Sequence, residues 1–203
     1  MKLYYAPGAC SLSPHIVMHE AGLQAQTVKA DLKAHKLEDG SDYYAVNSKG
    51  YVPLLELDTG ERLTEGPAIV QYIADQVPEK KLAPAAGTME RYRLQEWLNF
   101  ITSELHKGIG GLFNPQMPEE AKALMREKAK GRLEWTDRAL EGKEYTMGPA
   151  FSVADAYLFT VVNWTKGVGI DTSGMQHLTA FMERMKARPA VQAAMKAEGL
   201  IKA

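Results

Sequence analysis

Cys10, in the stretch PGACSLSPHI, is the only cysteine of a 203-residue chain and stands just ahead of a helix start. Two kinds of chemistry attach to that placement. A cysteine packed in a core is a small, inert hydrophobe. A cysteine at a helix N-terminus instead faces the positive end of the helix dipole, which lowers its pKa and makes a reactive thiolate. One thiol cannot close an internal disulfide. Without a second cysteine at Cys-x-x-Cys spacing there is no internal dithiol cycle either, so a reactive Cys10 needs a small-molecule thiol as its partner. A lone cysteine and no basic-then-apolar opening point to a reducing cytoplasm, and no cysteine cluster suggests a metal.

Three further groups carry polar chemistry. Asn99, Ser103 and His106 fall within an arc of roughly 60° on a helix drawn at α spacing, opposite a stripe of Leu94, Trp97, Leu98, Ile101 and Leu105. Such a trio is a solvated face unless something binds it. Glu65 and Gly66 open the helix GPAIVQYIADQV, where an acid is favoured by the dipole on its own account. Ser152 and Asp155 in SVAD have capping-box spacing ahead of an apolar helix, and no histidine joins them in a hydrolase motif. Trp164, just beyond that helix, is either a core residue or a pocket wall. The charge run REKAKGR mixes signs, as a solvated helix face does.

These residues need positioning elements, and the chain offers two kinds. Over the first 80 residues, short apolar runs alternate with helical patterns. KLYYA reads as a buried strand closed by Pro7-Gly8, and a helix follows with Ser13 as N-cap, Pro14 in its first turn and Gly22 at its stop. QTVKADL is a second strand, and VPLLEL, DTGE and RLTE form a hairpin. From about Met89 the pattern is helical, with SVADAYLFTVVNW as a buried helix and a break at Pro189. The expected organisation is an α/β domain over 1–80, a linker at 81–87 and an all-helical domain over 88–203. Composition agrees with a globular chain, at 45% hydrophobic and 24% charged residues. A net charge of −1 argues against nucleic acid or an acidic membrane as partner, and no run is long enough for a membrane span.

A strand, a cysteine, a helix and then a strand opening at proline in YVPLL suggest a thioredoxin-like layout. With MKLYYAPGACSLSPHI, GYVPLLEL, LTEGPAIVQYIAD, WLNFITSELHK and SVADAYLF in that order, the chain resembles a bacterial beta-class glutathione transferase over its full length. The resemblance implies a thioredoxin-like N-terminal domain, an all-α C-terminal domain, glutathione as co-substrate and a homodimer. It implies that Cys10 is the catalytic thiol and forms a mixed disulfide with glutathione. It further implies a cis Pro53, Val52 pairing with the glutathione backbone, and Glu65 with Gly66 holding the γ-glutamyl end. Where the family commonly has lysine for the glycyl carboxylate this chain has His35, followed by Lys36, and either can take that part. Gly66 stands where the family often has serine.

The resemblance also makes Asn99, Ser103 and His106 the wall of the glutathione cleft, with His106 assisting the thiol. It sends Glu104 to the glutathione of a neighbouring subunit and assigns Lys107 and Trp164 to the pocket of a hydrophobic electrophile. The implied function is conjugation of glutathione to such electrophiles, with thiol–disulfide exchange and reductive dehalogenation of aromatic breakdown products as related activities. Two rival readings are a non-catalytic interaction protein on the same fold and a glutaredoxin-like oxidoreductase with little conjugating activity.

Overall fold

The strand expected at KLYYA is β1, Lys2–Tyr5, in a computed structural model that describes residues 1–202. It is followed by α1 (Leu12–Ala21), β2 (Gln26–Asp31), β3 (Lys36–Leu37), β4 (Leu54–Glu56), β5 (Arg62–Thr64) and α2 (Gly66–Asp75). The sheet order is β3-β2-β1-β4-β5. Because α1 carries the chain across, β1 and β2 run parallel; the other pairs are antiparallel. The two-residue β3 is absent from the sequence reading, since two residues are too few to show a period.

Register sorts the side chains of β1. Tyr4 lies opposite Leu54, and Leu3 opposite Leu55, so alternation sends the two pairs to opposite faces. Tyr4 and Leu54 join Ala30, Tyr43 and Val52 in one core cluster. Leu3 and Leu55 are completely buried on the other face.

The entry to α1 differs from the expectation. Ser13 is not the cap: it lies inside the helix, fully buried, and its hydroxyl has no hydrogen-bond partner. Ser11 holds the N-cap position but spends its hydroxyl on Ala6, accepting from the Ala6 N–H at 3.1 Å and lying 3.2 Å from its carbonyl. The first amides are met by backbone, Leu12 N–H on the Ala9 carbonyl and Ser13 N–H on the Cys10 carbonyl. A tight turn therefore replaces a side-chain cap.

The helical part comprises α3 (Met89–Phe100), a π-helical segment (Ile101–His106), α4 (Lys107–Gly111), α5 (Glu119–Ala139), α6 (Val153–Val162), a 3₁₀ segment (Asn163–Val168), α7 (Gln176–Lys186) and α8 (Pro189–Ala197). Contacts divide the chain into two units: Met1–Ala83 with the tail from Arg188 onward, and Pro84–Ala187. The expected helical domain, 88–203, differs from this at its end, for α8 belongs with the sheet unit and packs on α1. The reason is a set of polar ties. Arg188 donates to both carboxylate oxygens of Glu20, at 2.6 and 3.0 Å. The buried Glu198 carboxylate accepts from the Gly8 N–H at 2.9 Å and meets His15 Nδ1 at 2.9 Å. Among the described residues no helix is long and apolar enough to cross a membrane.

All ten residues of α6 are buried. A helix start buried this deeply must find partners for its free amides inside the protein. Asp155 accepts the N-cap amide and two further donors. Its carboxylate accepts the Thr146 N–H and the Ser152 N–H, each at 2.7 Å, and the Ser152 hydroxyl at 2.9 Å. The Ser152/Asp155 pair is thus a capping box, as its spacing implied. Burial pushes the Asp155 carboxyl above the ordinary carboxylate range, against the pull of these donors.

Asp155→Ala leaves the Thr146 and Ser152 donors buried and unpaired, so we expect a loss of about 2–4 kcal/mol in stability, measured by urea unfolding. The sign of its pH dependence follows from the raised pKa. The folded state holds the Asp155 proton more tightly than the unfolded chain, so wild type loses this contribution as pH rises through the raised value. The gap between wild type and variant is expected to be widest in acid and to narrow above it.

Candidate functional site

In the sheet unit, the approach to β4 is built around the Tyr51 carbonyl. It accepts from the Tyr43 hydroxyl at 2.9 Å and from Asn47 Nδ2 at 2.6 Å. Burial pushes the Tyr43 phenol up to about 12, so it stays a protonated donor. With Tyr51 pinned, Val52 follows into the core cluster and the Val52–Pro53 bond is cis. This turns the Val52 carbonyl toward the turn after β1. There the half-buried Cys10 donates its thiol proton to it, with Sγ 3.1 Å from the oxygen.

Two effects meet at that sulfur. A carbonyl acceptor favours the thiol, whereas the start of α1 favours the thiolate. Ionisation of Cys10 therefore also releases the Val52 carbonyl for another donor.

Glu65 precedes α2 with φ 70° and ψ 112°, a region that side chains rarely occupy. It does not cap the helix with its side chain. It is turned outward, accepting from the Lys49 ammonium at 2.6 Å, while Lys49 also reaches Thr64 Oγ1 at 3.0 Å. The carboxylate thus already holds an ammonium group at a helix start. Gly66 is buried behind it; a Cβ there would lie 3.9 Å from Pro53 Cγ, an ordinary contact, so the position has room for a side chain.

His35 also has a left-handed backbone, φ 51°, and its ring packs against Tyr44 with centroids 4.4 Å apart. Its Nδ1 is buried without a hydrogen-bond partner. Gly50 closes on this pair: a Cβ would stand 2.6 Å from Tyr44 Cε1 and 3.0 Å from His35 Nδ1. Lys36 is exposed at the start of β3.

In the helical unit, the polar trio does not act as one stripe. The segment Ile101–His106 is π-helical, so spacing drawn for an α-helix fails there. Asn99 and Ser103 are exposed, and the Ser103 hydroxyl donates to the Asn99 carbonyl of its own helix at 3.0 Å. His106 instead turns inward to Tyr157, with Nδ1 2.6 Å from the phenol oxygen. Glu104 accepts from Arg132 Nε at 2.7 Å within the same chain, and Lys107 is exposed. Trp164 lies edge-on to His106, centroids 4.9 Å apart, and Phe113 lies 6.3 Å from Trp164. Two glycines lie close by, Gly110 with room for a side chain and Gly111 against the flexible end of Met125. A Cβ on Gly110 would lie 3.5 Å from His106 Cδ2, and one on Gly111 only 2.7 Å from Met125 Cε. Among the described residues no group of acidic, histidine or cysteine side chains is arranged to hold a metal.

Residues 1–75 match the family model described as glutathione S-transferase, N-terminal domain, and residues 103–198 the one described as its C-terminal domain. The chain belongs to the glutathione S-transferase family. A protein of Escherichia coli O157:H7, glutathione S-transferase GstA, is 48% identical over 98% of this chain and 100% of its own. A bacterial beta-class glutathione S-transferase of Sphingomonas chungbukensis is 50% identical, with a TM-score of 0.96 over 99% of this chain and 100% of that one. A sphingomonad glutathione S-transferase solved in complex with glutathione is 49% identical, with a TM-score of 0.95 over 99% and 100%. The chain is accordingly a glutathione transferase with bacterial beta-class neighbours, and its fold is the thioredoxin-like unit plus helical unit of that family.

Two contacts of this transferase are missing from the reading of its sequence, and only one of them lacks any signal there. Lys49 reaches Glu65 across 16 residues with no spacing signal. Tyr157 does leave a trace: a phenol in an otherwise apolar, buried helix needs a partner for its hydroxyl.

Proposed function

We propose that this transferase conjugates glutathione to hydrophobic electrophiles and also exchanges thiols through a mixed disulfide on Cys10. The observation that carries the reading is the Cys10 sulfur, half-buried ahead of α1 and 3.1 Å from the carbonyl that precedes the cis proline. Glutathione brings an ammonium, two carboxylates and backbone amides. Glu65, which takes the Lys49 ammonium in this structure, takes the glutathione ammonium when the ligand displaces it. The Gly66 N–H at the start of α2 faces the γ-glutamyl carboxylate, since Pro67 has no N–H and the Ala68 and Ile69 amides donate to the Glu65 carbonyl. Val52 pairs with the cysteinyl unit, its carbonyl freed as Cys10 ionises, and His35 serves the glycyl end. The sphingomonad relative bound to glutathione supports the choice of ligand.

In conjugation the glutathione sulfur displaces a leaving group from an apolar electrophile lying on the Trp164 and Phe113 side of the helical unit, with Lys107 at its edge. His106 acts on the reacting sulfur as a hydrogen-bond donor, beside Asn99 and Ser103 on the same helical stretch. In exchange, the Cys10 thiolate attacks one sulfur of a glutathione disulfide; the Cys10–glutathione bond forms and a glutathione thiolate leaves. Dehalogenation extends this step. Glutathione first displaces the halide from a ring that can stabilise negative charge. Cys10 then attacks the sulfur of that thioether, the ring carbon takes a proton as its bond to sulfur breaks, and a second glutathione resolves the Cys10–glutathione disulfide, leaving glutathione disulfide. A reducing cytoplasm keeps the thiol available for each cycle.

Incubated with glutathione disulfide, the chain should gain the mass of one glutathione; because Cys10 is the only cysteine, the adduct has one site. Cys10→Ala is expected to abolish exchange and retain part of the conjugation, since glutathione supplies its own sulfur. No adduct on intact-mass analysis would overturn the exchange reading. Glu65→Ala should weaken glutathione binding roughly 10- to 100-fold by calorimetry; unchanged affinity would leave Glu65 to Lys49 alone. A two-fold dimer is the commonest oligomer, and light scattering should return about twice the 22.4 kDa of one chain. A monomer would remove the cross-subunit role for Glu104.

A further inference from the structure

Histidine offers its two ring nitrogens for different work, and which one carries the proton is set by what the other nitrogen touches. At His106, Nδ1 lies 2.6 Å from the Tyr157 phenol oxygen. A contact that short needs one proton between the two atoms, supplied either by the phenol or by the ring N–H. A phenol is the better donor, and a neutral imidazole nitrogen the better acceptor. The proton is therefore on the Tyr157 oxygen, pointing at Nδ1.

The neighbouring Thr102 hydroxyl is a weaker competitor for the phenol proton than Nδ1, being 3.4 Å from the Tyr157 oxygen against 2.6 Å. Thr102 has one hydroxyl proton, and a carbonyl can only accept, so its 2.8 Å contact with the Leu98 carbonyl takes that proton. Its 3.4 Å separation from the Tyr157 oxygen is long for a hydroxyl pair.

We propose that Tyr157 is a positioning residue that fixes His106 in the tautomer bearing its proton on Nε2. In that form the imidazole is a hydrogen-bond donor toward a sulfur anion, with no net proton transfer and no ring flip. The mechanical side of the assignment is equally direct. Tyr157 is 2% exposed and sits on α6, two residues after the Asp155 box that anchors that helix. The phenol is consequently held by the core and does not follow the imidazole. The His106 ring meets Tyr157 edge-on, at 5.8 Å and 80°, and Trp164 at 4.9 Å and 69°, so both its tilt and its tautomer are imposed from α6 and the segment after it. The inference rests on the reading of His106 as a working group in thiol chemistry, and the test separates the two.

The test uses the full chain labelled with ¹⁵N, with His106→Gln to assign the His106 ring signals. In wild type at pH above the imidazole pKa, the expected long-range ¹H–¹⁵N pattern has a protonated Nε2 and an acceptor Nδ1. Tyr157→Phe keeps the ring edges and removes the hydroxyl; it should return His106 to a mixture of tautomers. It should also lower kcat for glutathione exchange by about tenfold while the KM for glutathione stays unchanged, the split expected of a lost transition-state contact. A wild-type spectrum with the proton on Nδ1 would overturn the proposal even if Tyr157→Phe did not fold, and so would an unchanged spectrum in that variant. If His106→Gln leaves kcat at the wild-type value, the reading of His106 as a working group fails, while the spectrum still decides the tautomer.

Discussion

The buried carboxylate of Asp155 is the constraint from which most of the helical unit follows. α6 is buried along its entire length, so its first turn has no water to satisfy its amides. The Asp155 carboxyl takes the Ser152 N–H at the helix start together with the Ser152 hydroxyl and the Thr146 N–H, although its burial is costly and raises its pKa. The compensation is rigidity. With the helix start tied to Thr146 and Ser152, the next turn places the Tyr157 phenol at a defined point, and the His106 ring is oriented against it. A structural acid two residues before Tyr157 thereby bears on how the His106 ring is held.

The sheet unit reaches its own site by a different route, through backbone carbonyls. The Tyr51 carbonyl, held by Tyr43 and Asn47, fixes the path into the cis Val52–Pro53 bond, and the next carbonyl meets Cys10. On the other side, Gly8, two residues before Cys10, is held by Glu198 from the chain's C-terminal end. The turn that carries the thiol is thus gripped by residues from β4's approach and from beyond α8. Strained backbones at His35 and Glu65, two residues of the proposed glutathione site, sit in the same unit. Such conformations persist only when their surroundings over-determine them. At His35 the close approach of Gly50 and Tyr44 supplies that determination.

Much of this was legible in the residues themselves. Local rules decide it: the strand at KLYYA, the hairpin around DTGE, the helix after Gly66, the box at Ser152 and Asp155 and the break at Pro189 each rest on a few neighbouring side chains. The family likeness was legible too, because several short motifs recur in one order. What the sequence could not carry is whatever depends on partners distant along the chain or on a departure from ideal geometry. Ser13 has the right type for a cap, but the turn from Ala9 and Cys10 reaches the amides first. Asn99, Ser103 and His106 share a stripe only if the helix is regular, and a π-helical segment, invisible in a pattern of apolar residues, turns His106 inward. Its helical pattern made α8 look like part of the helical half, whereas the Glu198 and Arg188 pairs tie it to α1. Local sequence therefore determined which elements form and where the thiol stands, because those choices are made within one turn of chain. Tertiary structure alone decided which carbonyl faces Cys10, which ammonium rests on Glu65 and which nitrogen of His106 holds its proton, because each depends on a hydrogen-bond partner supplied by a different element of the fold.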